Sequence, residues 1–383
     1  MLRAREVELQ FPAVRSHGPF AQTEQTPLPK FSDLLVCLAG AFDPPAPDGP
    51  GYSWRRAVVA GATAMKTCPG QHAEVVAAAL VRDVAYVGLP DQRGARPQDP
   101  LLSTDCRACA ARPSRAKASE LRGRQWLSAL PGFLEVSSIL TRPEGFGGSP
   151  GGRPPLRAAP LPRQVLVLCD EATELAWALG WAGALSREAL VQWGVEVASR
   201  EVLPQVLDAF LEAISGEVFN ALVGGIDVAP LTSLSRAVGA LGTPFSDAIG
   251  QLALVFGSLA DSALERWSGR SAAISRLAVA IAREVKVSDE QVTLIKWAAL
   301  IQDVSLLRSG AAAASADGRA LLVLPSLKGL VALLEARPAA KLEPRILEVA
   351  NSLAGALKDA PADAGELVSE GIRQVQRSSG VGA

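Results

Sequence analysis

A set of sequence blocks occurs twice along the chain. AAALVRDV at residues 77–84 returns as WAALIQDV at residues 297–304, with five of eight positions identical. GYSWRRAVVAGATA, which starts at Gly51, matches GRSAAISRLAVAIA, which starts at Gly269. The two pairs are separated by 220 and 218 residues. Self-similarity at a nearly constant spacing predicts a tandem duplication of one structural unit.

Two further matches flank these blocks. Phe31-Ser32-Asp33 and the same three residues at 245–247, a separation of 214, each stand at the start of a predicted helix. QVLVLCD, ending at Asp170, corresponds to RILEVAN, ending at Asn351, at a separation of only 181 residues. The second unit is therefore about 39 residues shorter than the first, and it lacks a counterpart of the glycine-rich and proline-rich loop at residues 142–163.

The repeated blocks predict helices. Apolar residues recur at helical spacing from Ser53 onwards and again from His72, whereas the alternating runs typical of strands are nearly absent. We interpret the short apolar run QVLVL as part of a buried helix. The prediction is an all-α chain with two tandem helical domains. It has an extended N-terminal arm at residues 1–30, a first unit at 31–225 and a shortened second unit at 226–383.

Composition excludes several classes of protein. Hydrophobic residues make up 49% of the chain and charged residues 20%, which suits a globular protein. A formal net charge of -1 gives no global field toward nucleic acid, and no apolar run is long enough to span a bilayer. Five cysteines, an odd and sparse set, suit reduced thiols. We expect a cytoplasmic protein with neither nucleic acid nor membrane as partner.

The order of the blocks resembles the HD-GYP family, helical phosphodiesterases that bind two or three metal ions and hydrolyse cyclic di-GMP. The family pattern has a GHS-type helix start, a helix ending in A-A-L-L-H-D-I-G-K, an H-H-E-x-x-D-G-x-G-Y-P loop and a helix with R-I-L-x-V-x-D. The resemblance covers residues 31–214 and again 245–372. It implies an all-α fold and, in intact members, iron or manganese at histidines and aspartates.

This chain departs from the family pattern at most of the ligand positions that the resemblance implies. Those positions hold Tyr52, Arg82, Asp83 and Asp170 in the first unit and Arg270, Gln302, Asp303 and Asn351 in the second. Neither of the two histidines of the chain, His17 and His72, falls on a ligand position. The phosphate-contacting lysine is replaced by Tyr86 and Leu306, and the loop keeps only Gly148 and Pro150. We therefore expect no catalytic residue, no metal and no cofactor.

Arg82 stands where the family has the histidine of its HD pair. One expectation is that its guanidinium pairs with Asp83 or Asp170 and so replaces a metal ion by an organic cation. The alternative is that Arg82 reaches solvent.

Three other features have a functional and a plainer interpretation. Cys106 and Cys109 form a CxxC that could bind zinc with Cys68 and His72, or could be unliganded thiols in a loop. The basic stretch at residues 112–124 could meet phosphate or an acidic protein surface, or it could be a solvated helix face. The loop GFGGSPGG looks like a phosphate-binding loop, but it lacks the GK[ST] ending that such loops have, so a glycine-rich connection without a nucleotide is the plainer interpretation.

The favoured function is a non-catalytic scaffold or adaptor that binds another protein, and the resemblance suggests bacterial signalling. The alternative is a sensor that binds cyclic di-GMP or another nucleotide without cleaving it, through Arg82, Arg142 or Arg153. A residual hydrolase is a third hypothesis. The identity of the protein partner and the oligomeric state stay open.

Overall fold

A computed structural model describes the helical framework of the chain. The described residues are 28–41, 43, 51–82, 84, 127, 130, 132–140, 156–179, 185–196, 198–214, 216–224, 228–242, 247–264, 266–304, 324–335, 342–359 and 369–375. Within these ranges every regular element is helical and no strand occurs, so the predicted all-α fold is confirmed. The apolar run QVLVL lies inside a helix, as predicted. None of the described helices is both long and apolar enough to cross a bilayer.

The first part of the chain supplies the helices α1 to α9. They are α1 Phe31–Ala41, α2 Tyr52–Thr67, α3 His72–Val81, α4 Leu134–Leu140, α5 Leu161–Ala178, α6 Arg187–Glu196, α7 Pro204–Ala213, α8 Glu217–Val223 and α9 Val228–Gly239.

The second part supplies α10 to α14. They are α10 Ala248–Ala263, α11 Arg270–Glu284, α12 Asp289–Ile301, α13 Lys328–Glu335 and α14 Leu342–Asp359, and residues 369–375 are also helical.

The same helix pairs are in contact in both parts of the chain. In the first part α2 packs against α3 and α5, and α1 packs against α2 and α3. In the second part α11 packs against α12 and α14, and α10 packs against α11 and α12. The helices that carry the repeated sequence blocks thus occupy corresponding places in the two packing arrangements.

A carboxylate holds the start of the second helix in each arrangement. Asp43 accepts hydrogen bonds from the backbone N–H of Ser53, at 2.9 Å, and from its hydroxyl. Asp261 accepts from the backbone N–H of Ser271 at 3.0 Å and from its hydroxyl at 2.8 Å. These contacts satisfy N–H groups that a helix start leaves without an intrahelical partner. In both cases the glycine before the helix has a positive φ, a conformation that glycine adopts without strain.

The aspartates of the two Phe-Ser-Asp segments do not occupy equivalent places. Asp33 is buried in the first turn of α1, whereas Asp247 is exposed at the residue before α10 and pairs with Lys296 at 3.0 Å. The carboxylates at the helix starts, Asp43 and Asp261, instead follow the separation of 218 residues that relates the next block. The match based on these three letters was therefore wrong in register by four residues.

Helix α1 lies at the centre of the molecule, and all eleven of its residues are buried. It contacts α9 in addition to α2 and α3, and on its other side it contacts α10 and the turn Pro325–Leu327. Its Asp33 carboxylate accepts hydrogen bonds from the hydroxyls of Ser235, on α9, and Ser326, in that turn. The sequence FSDLLVCLAGA is apolar around most of the helix, which suits a helix enclosed on every side.

Helix α9 packs against helices of the first unit, α1, α2 and α3. The boundary predicted from sequence, between residues 225 and 226, assigned this helix to the second unit. The contacts of α9 are thus with helices of the first predicted unit, and the boundary between the two units stays a prediction.

Candidate functional site

In the first unit, the ligand positions that the resemblance implies form an ion-pair cluster around Asp170. Asp170 lies on α5 and is mostly buried. Arg82, which directly follows α3, places its Nε 2.7 Å from Asp170 Oδ2. Arg56 of α2 places its Nη1 2.7 Å from Asp170 Oδ1. The predicted pairing of Arg82 with an aspartate is confirmed, and the partner is Asp170. Asp83 lies outside the described residues.

Arg56 is the member of this cluster that sequence reasoning missed. Its side chain is completely buried, its Nε donates to the carbonyl oxygen of Ala79 at 2.8 Å, and its guanidinium lies 5.2 Å from the ring centre of Tyr52. Tyr52 and Arg56 are four residues apart and so share one face of α2. That face continues through Ala60, so an arginine on an otherwise apolar face was the available signal.

In the second unit, one arginine donates hydrogen bonds to the residues at two of the other implied ligand positions. Arg270, the first residue of α11, donates through Nη1 to Asp303 and through Nη2 to Asn351 on α14. Arg266 is a weaker partner, with Nε 3.7 Å from Asp303 Oδ2 and a side chain that is about one-third exposed. Gln302, where the family has a histidine, directly follows α12.

The electrostatic environment next to Asp170 is crowded with carboxylates. Burial raises the pKa of Glu171, the following residue on α5, to about 7. The negative charges of Asp170, Glu174 and Glu201 act in the same direction, while Arg82 opposes them. Two guanidinium groups therefore compensate Asp170 directly, but Glu171 is left in surroundings that favour its neutral form.

The described residues at these positions do not fit the metal ions that the resemblance implies. A two-metal site holds its cations about 3.5 to 4 Å apart on converging carboxylates and imidazoles. Here both oxygens of Asp170 are engaged by guanidinium groups, and Arg270 engages Asp303. A divalent cation would have to displace an arginine and then lie next to its positive charge. Among the described residues, no three His, Cys, Asp or Glu side chains converge as a metal site would require.

Several sequence-predicted features lie outside the described residues. They are His17, Asp83, Tyr86, Cys106, Cys109, the basic stretch at residues 112–124, Arg142, Gly148, Pro150, Arg153 and Leu306. Of the zinc-site candidates, Cys68 and His72 are described, and both are half-buried. Burial raises the pKa of the Cys68 thiol and lowers the pKa of His72, so neutral forms of both are favoured.

The fold defined by these helices is similar to that of a solved structure, which matches along almost its whole length. That structure is a cyclic GMP-AMP-specific phosphodiesterase of V. cholerae, V-cGAP3. The TM-score is 0.54 at 14% sequence identity, with 90% of this chain and 97% of that chain covered. No protein-family model and no curated protein matches the chain. At 14% identity the match shows a similar overall fold, which agrees with the all-α prediction.

Proposed function

We propose that this protein is a degenerate tandem HD-GYP-like protein that has lost catalysis and acts as a scaffold or adaptor for another protein in bacterial signalling. The observation that carries the proposal is the presence of arginine guanidinium groups on the aspartates that would otherwise bind metal. Arg56 and Arg82 contact Asp170, and Arg270 contacts Asp303.

Three correspondences support the duplication in this proposal. The helix pairs α2–α3 and α2–α5 of the first unit correspond to α11–α12 and α11–α14 of the second. The Asp-to-Ser contacts that start α2 and α11 have the same spacing of ten residues. Asp170 and Asn351, paired from sequence, lie on corresponding helices and each contacts an arginine.

The chemistry of metal-assisted phosphodiester hydrolysis supports the loss of activity. The metal ions in such sites lower the pKa of a bound water molecule and neutralise charge on the phosphate. A guanidinium carries one positive charge but has no open coordination position, so it cannot bind and activate water as a metal does. The arginines therefore retain positive charge at these sites without the catalytic step.

The persistence of the core supports a role for the fold itself. Buried apolar residues from both units, from Phe31 to Val375, belong to one continuous hydrophobic cluster. Such a core keeps the fold, and therefore its surface, stable without the metal ligands of an intact enzyme. Binding another protein depends on that surface and not on metal ligands.

Two assays on the full chain test the proposed function. With Mn²⁺ or Fe²⁺ present, we expect no hydrolysis of cyclic di-GMP or of cyclic GMP-AMP. An affinity capture from the native cell, compared with an unrelated helical protein carrying the same tag, is expected to enrich a specific protein by mass spectrometry. Metal-dependent turnover, or the absence of any specific partner, contradicts the proposal.

The alternative function is a sensor that binds a cyclic dinucleotide without cleaving it. The structural match to a cyclic GMP-AMP-specific enzyme favours it. Against it, Arg82 is already engaged by Asp170 at 2.7 Å, so a phosphate would compete with a carboxylate for that guanidinium. Titration calorimetry with cyclic di-GMP and with cyclic GMP-AMP separates the two functions, because binding heat favours the sensor and its absence favours the scaffold.

A further inference from the structure

We propose that Arg270 is a built-in structural brace that ties three helical segments of the second unit together, in the place where a metal ion would have done so. This inference rests on the proposed loss of the metal site. It adds a positive role for the arginine, which is to hold the fold of the second unit.

The geometry of Arg270 suits this role. The residue begins α11, Asp303 lies just beyond the end of α12, and Asn351 lies within α14. The two terminal nitrogens of one guanidinium donate to side chains from the two other segments. Because the guanidinium is planar and permanently charged, it holds its two partners at a fixed separation.

The partners of Arg270 also suit a guanidinium better than a metal ion. Asp303 supplies one negative charge and is mostly buried, while Asn351 supplies a neutral acceptor where the resemblance implies an aspartate. One carboxylate and one amide oxygen neutralise and bind one guanidinium, whereas they are a poor ligand set for a transition metal. Asn351 thus gives Arg270 a second acceptor without adding a second negative charge.

The first unit reaches a similar arrangement from other sequence positions. There Asp170 is compensated by Arg82, beyond the end of α3, and by Arg56, within α2. A guanidinium thus lies on an aspartate in each unit although the arginines do not correspond in sequence. This recurrence supports a structural need for positive charge at both places.

The test measures thermal unfolding of full-length variants. Arg270→Met leaves Asp303 buried with only the partial compensation of Arg266, and we expect the midpoint to fall by about 3 to 6 °C. The matched control is Arg276→Met, because Arg276 lies on the exposed face of the same helix, α11. This control variant is expected to have the same unfolding midpoint as the wild type. An equal midpoint for the two variants overturns the inference.

A double variant distinguishes the brace from a simple packing role. In Arg270→Met/Asp303→Asn no buried charge is left uncompensated, so we expect part of the lost stability to return. If the stability losses of the two single substitutions add up in the double variant, the brace is contradicted. If Arg270→Met does not fold, Arg270→Lys keeps the charge without the planar fork, and the brace then predicts a midpoint between those of wild type and Arg270→Met/Asp303→Asn.

A metal titration separates this inference from the proposed function on which it rests. Wild-type protein mixed with excess Mn²⁺ is expected to unfold at an unchanged temperature, because no ion binds. A bound ion would stabilise the native state and raise the unfolding temperature. A rise with Mn²⁺ contradicts the loss of the metal site and the brace together. An unchanged midpoint with Mn²⁺, combined with a neutral Arg270→Met, removes the brace alone.

Discussion

The buried carboxylates differ in how they are compensated, and this difference determines which single substitutions matter most. Asp170 is held by two guanidinium groups, one of them on the completely buried Arg56. Asp33 and Asp261, in contrast, are held by hydroxyl and backbone groups. A buried ion pair is costly to break because the partner that remains is left charged inside the protein.

The first prediction concerns Asp170. Replacing it by alanine leaves Arg56 buried without its carboxylate, and we expect a loss of about 3 to 5 kcal/mol in the free energy of unfolding. The control is Glu212→Ala, which removes the partner of Lys66 in an exposed ion pair and is expected to cost less than about 1 kcal/mol. Urea denaturation measures the loss in the free energy of unfolding for each variant. Equal losses would show that the ion pairs around Asp170 stabilise the fold no more than an exposed pair does.

The second prediction uses the raised pKa of Glu171. Burial moves this pKa from about 4.5 in the unfolded chain to about 7 in the folded protein. Between these values the folded state holds the proton more tightly, so the contribution of Glu171 to stability is lost as the pH rises through 7. Glu171→Gln is expected to be more stable than wild type at pH 8 and no more stable at pH 4. Urea denaturation at both values tests this, and a pH-independent difference contradicts it.

The residues of the site were predictable to different degrees. The pairing of Arg82 with an aspartate followed from two positions that the resemblance already brought together. Arg56 was missed because its only sequence signal, an arginine on an otherwise apolar face of α2, does not by itself show which buried partner the guanidinium binds. Arg270 was identified only as a lost ligand, since its contact with Asn351 depends on how α14 packs against α11.

The helices themselves were largely readable from local patterns. Helical spacing from Ser53 and from His72 corresponds to α2 and α3, which begin at Tyr52 and His72. The contacts of α9 with α1, α2 and α3 could not be predicted, because the repeat carries no information on which neighbouring helices pack together. The alignment of Phe31-Ser32-Asp33 with residues 245–247 was also wrong by four residues. Three identical residues are weak evidence for a register, whereas the Asp-to-Ser contacts of Asp43 and Asp261 relate residues with the same structural role.

The third prediction concerns the close crossing of α10 and α12. A Cβ added at Gly257 would lie 2.3 Å from the carbonyl oxygen of Leu300, a backbone atom that cannot rotate away. Gly257→Ala is expected to cost about 1 to 3 kcal/mol. Gly355, in α14, is exposed and has no atom within 4 Å of such a Cβ, so Gly355→Ala is expected to stabilise by about 0.5 to 1 kcal/mol. Urea denaturation showing the same sign for both variants contradicts this account of the crossing.

The molecule as a whole is organised around α1. This helix belongs to the first unit by sequence, yet it also contacts α10 and the turn Pro325–Leu327 of the second. Its Asp33 binds hydroxyls on both sides, from Ser235 and Ser326. The two predicted units therefore share a core helix, an arrangement that the repeat alone could not indicate.

The fourth prediction follows from this shared helix. Because one hydrophobic cluster joins the units, we expect the full chain to unfold in urea in a single cooperative transition. Tryptophan fluorescence reports on both units, through Trp54 and Trp297 among others, and circular dichroism reports on all helices. The two signals are expected to give the same midpoint, and two separated transitions would show that α1 does not couple the units.

The most direct test of the central claim is the metal content of the full-length protein, purified from cells supplied with iron and manganese. The claim is that arginines occupy the places of the metal ions in both units. Elemental analysis by mass spectrometry is then expected to find no transition metal in a fixed ratio to protein, in contrast to an intact two-metal enzyme measured in parallel. Retention of one or more ions per chain would contradict the claim, because the guanidinium contacts of Asp170 and Asp303 could not persist beside them.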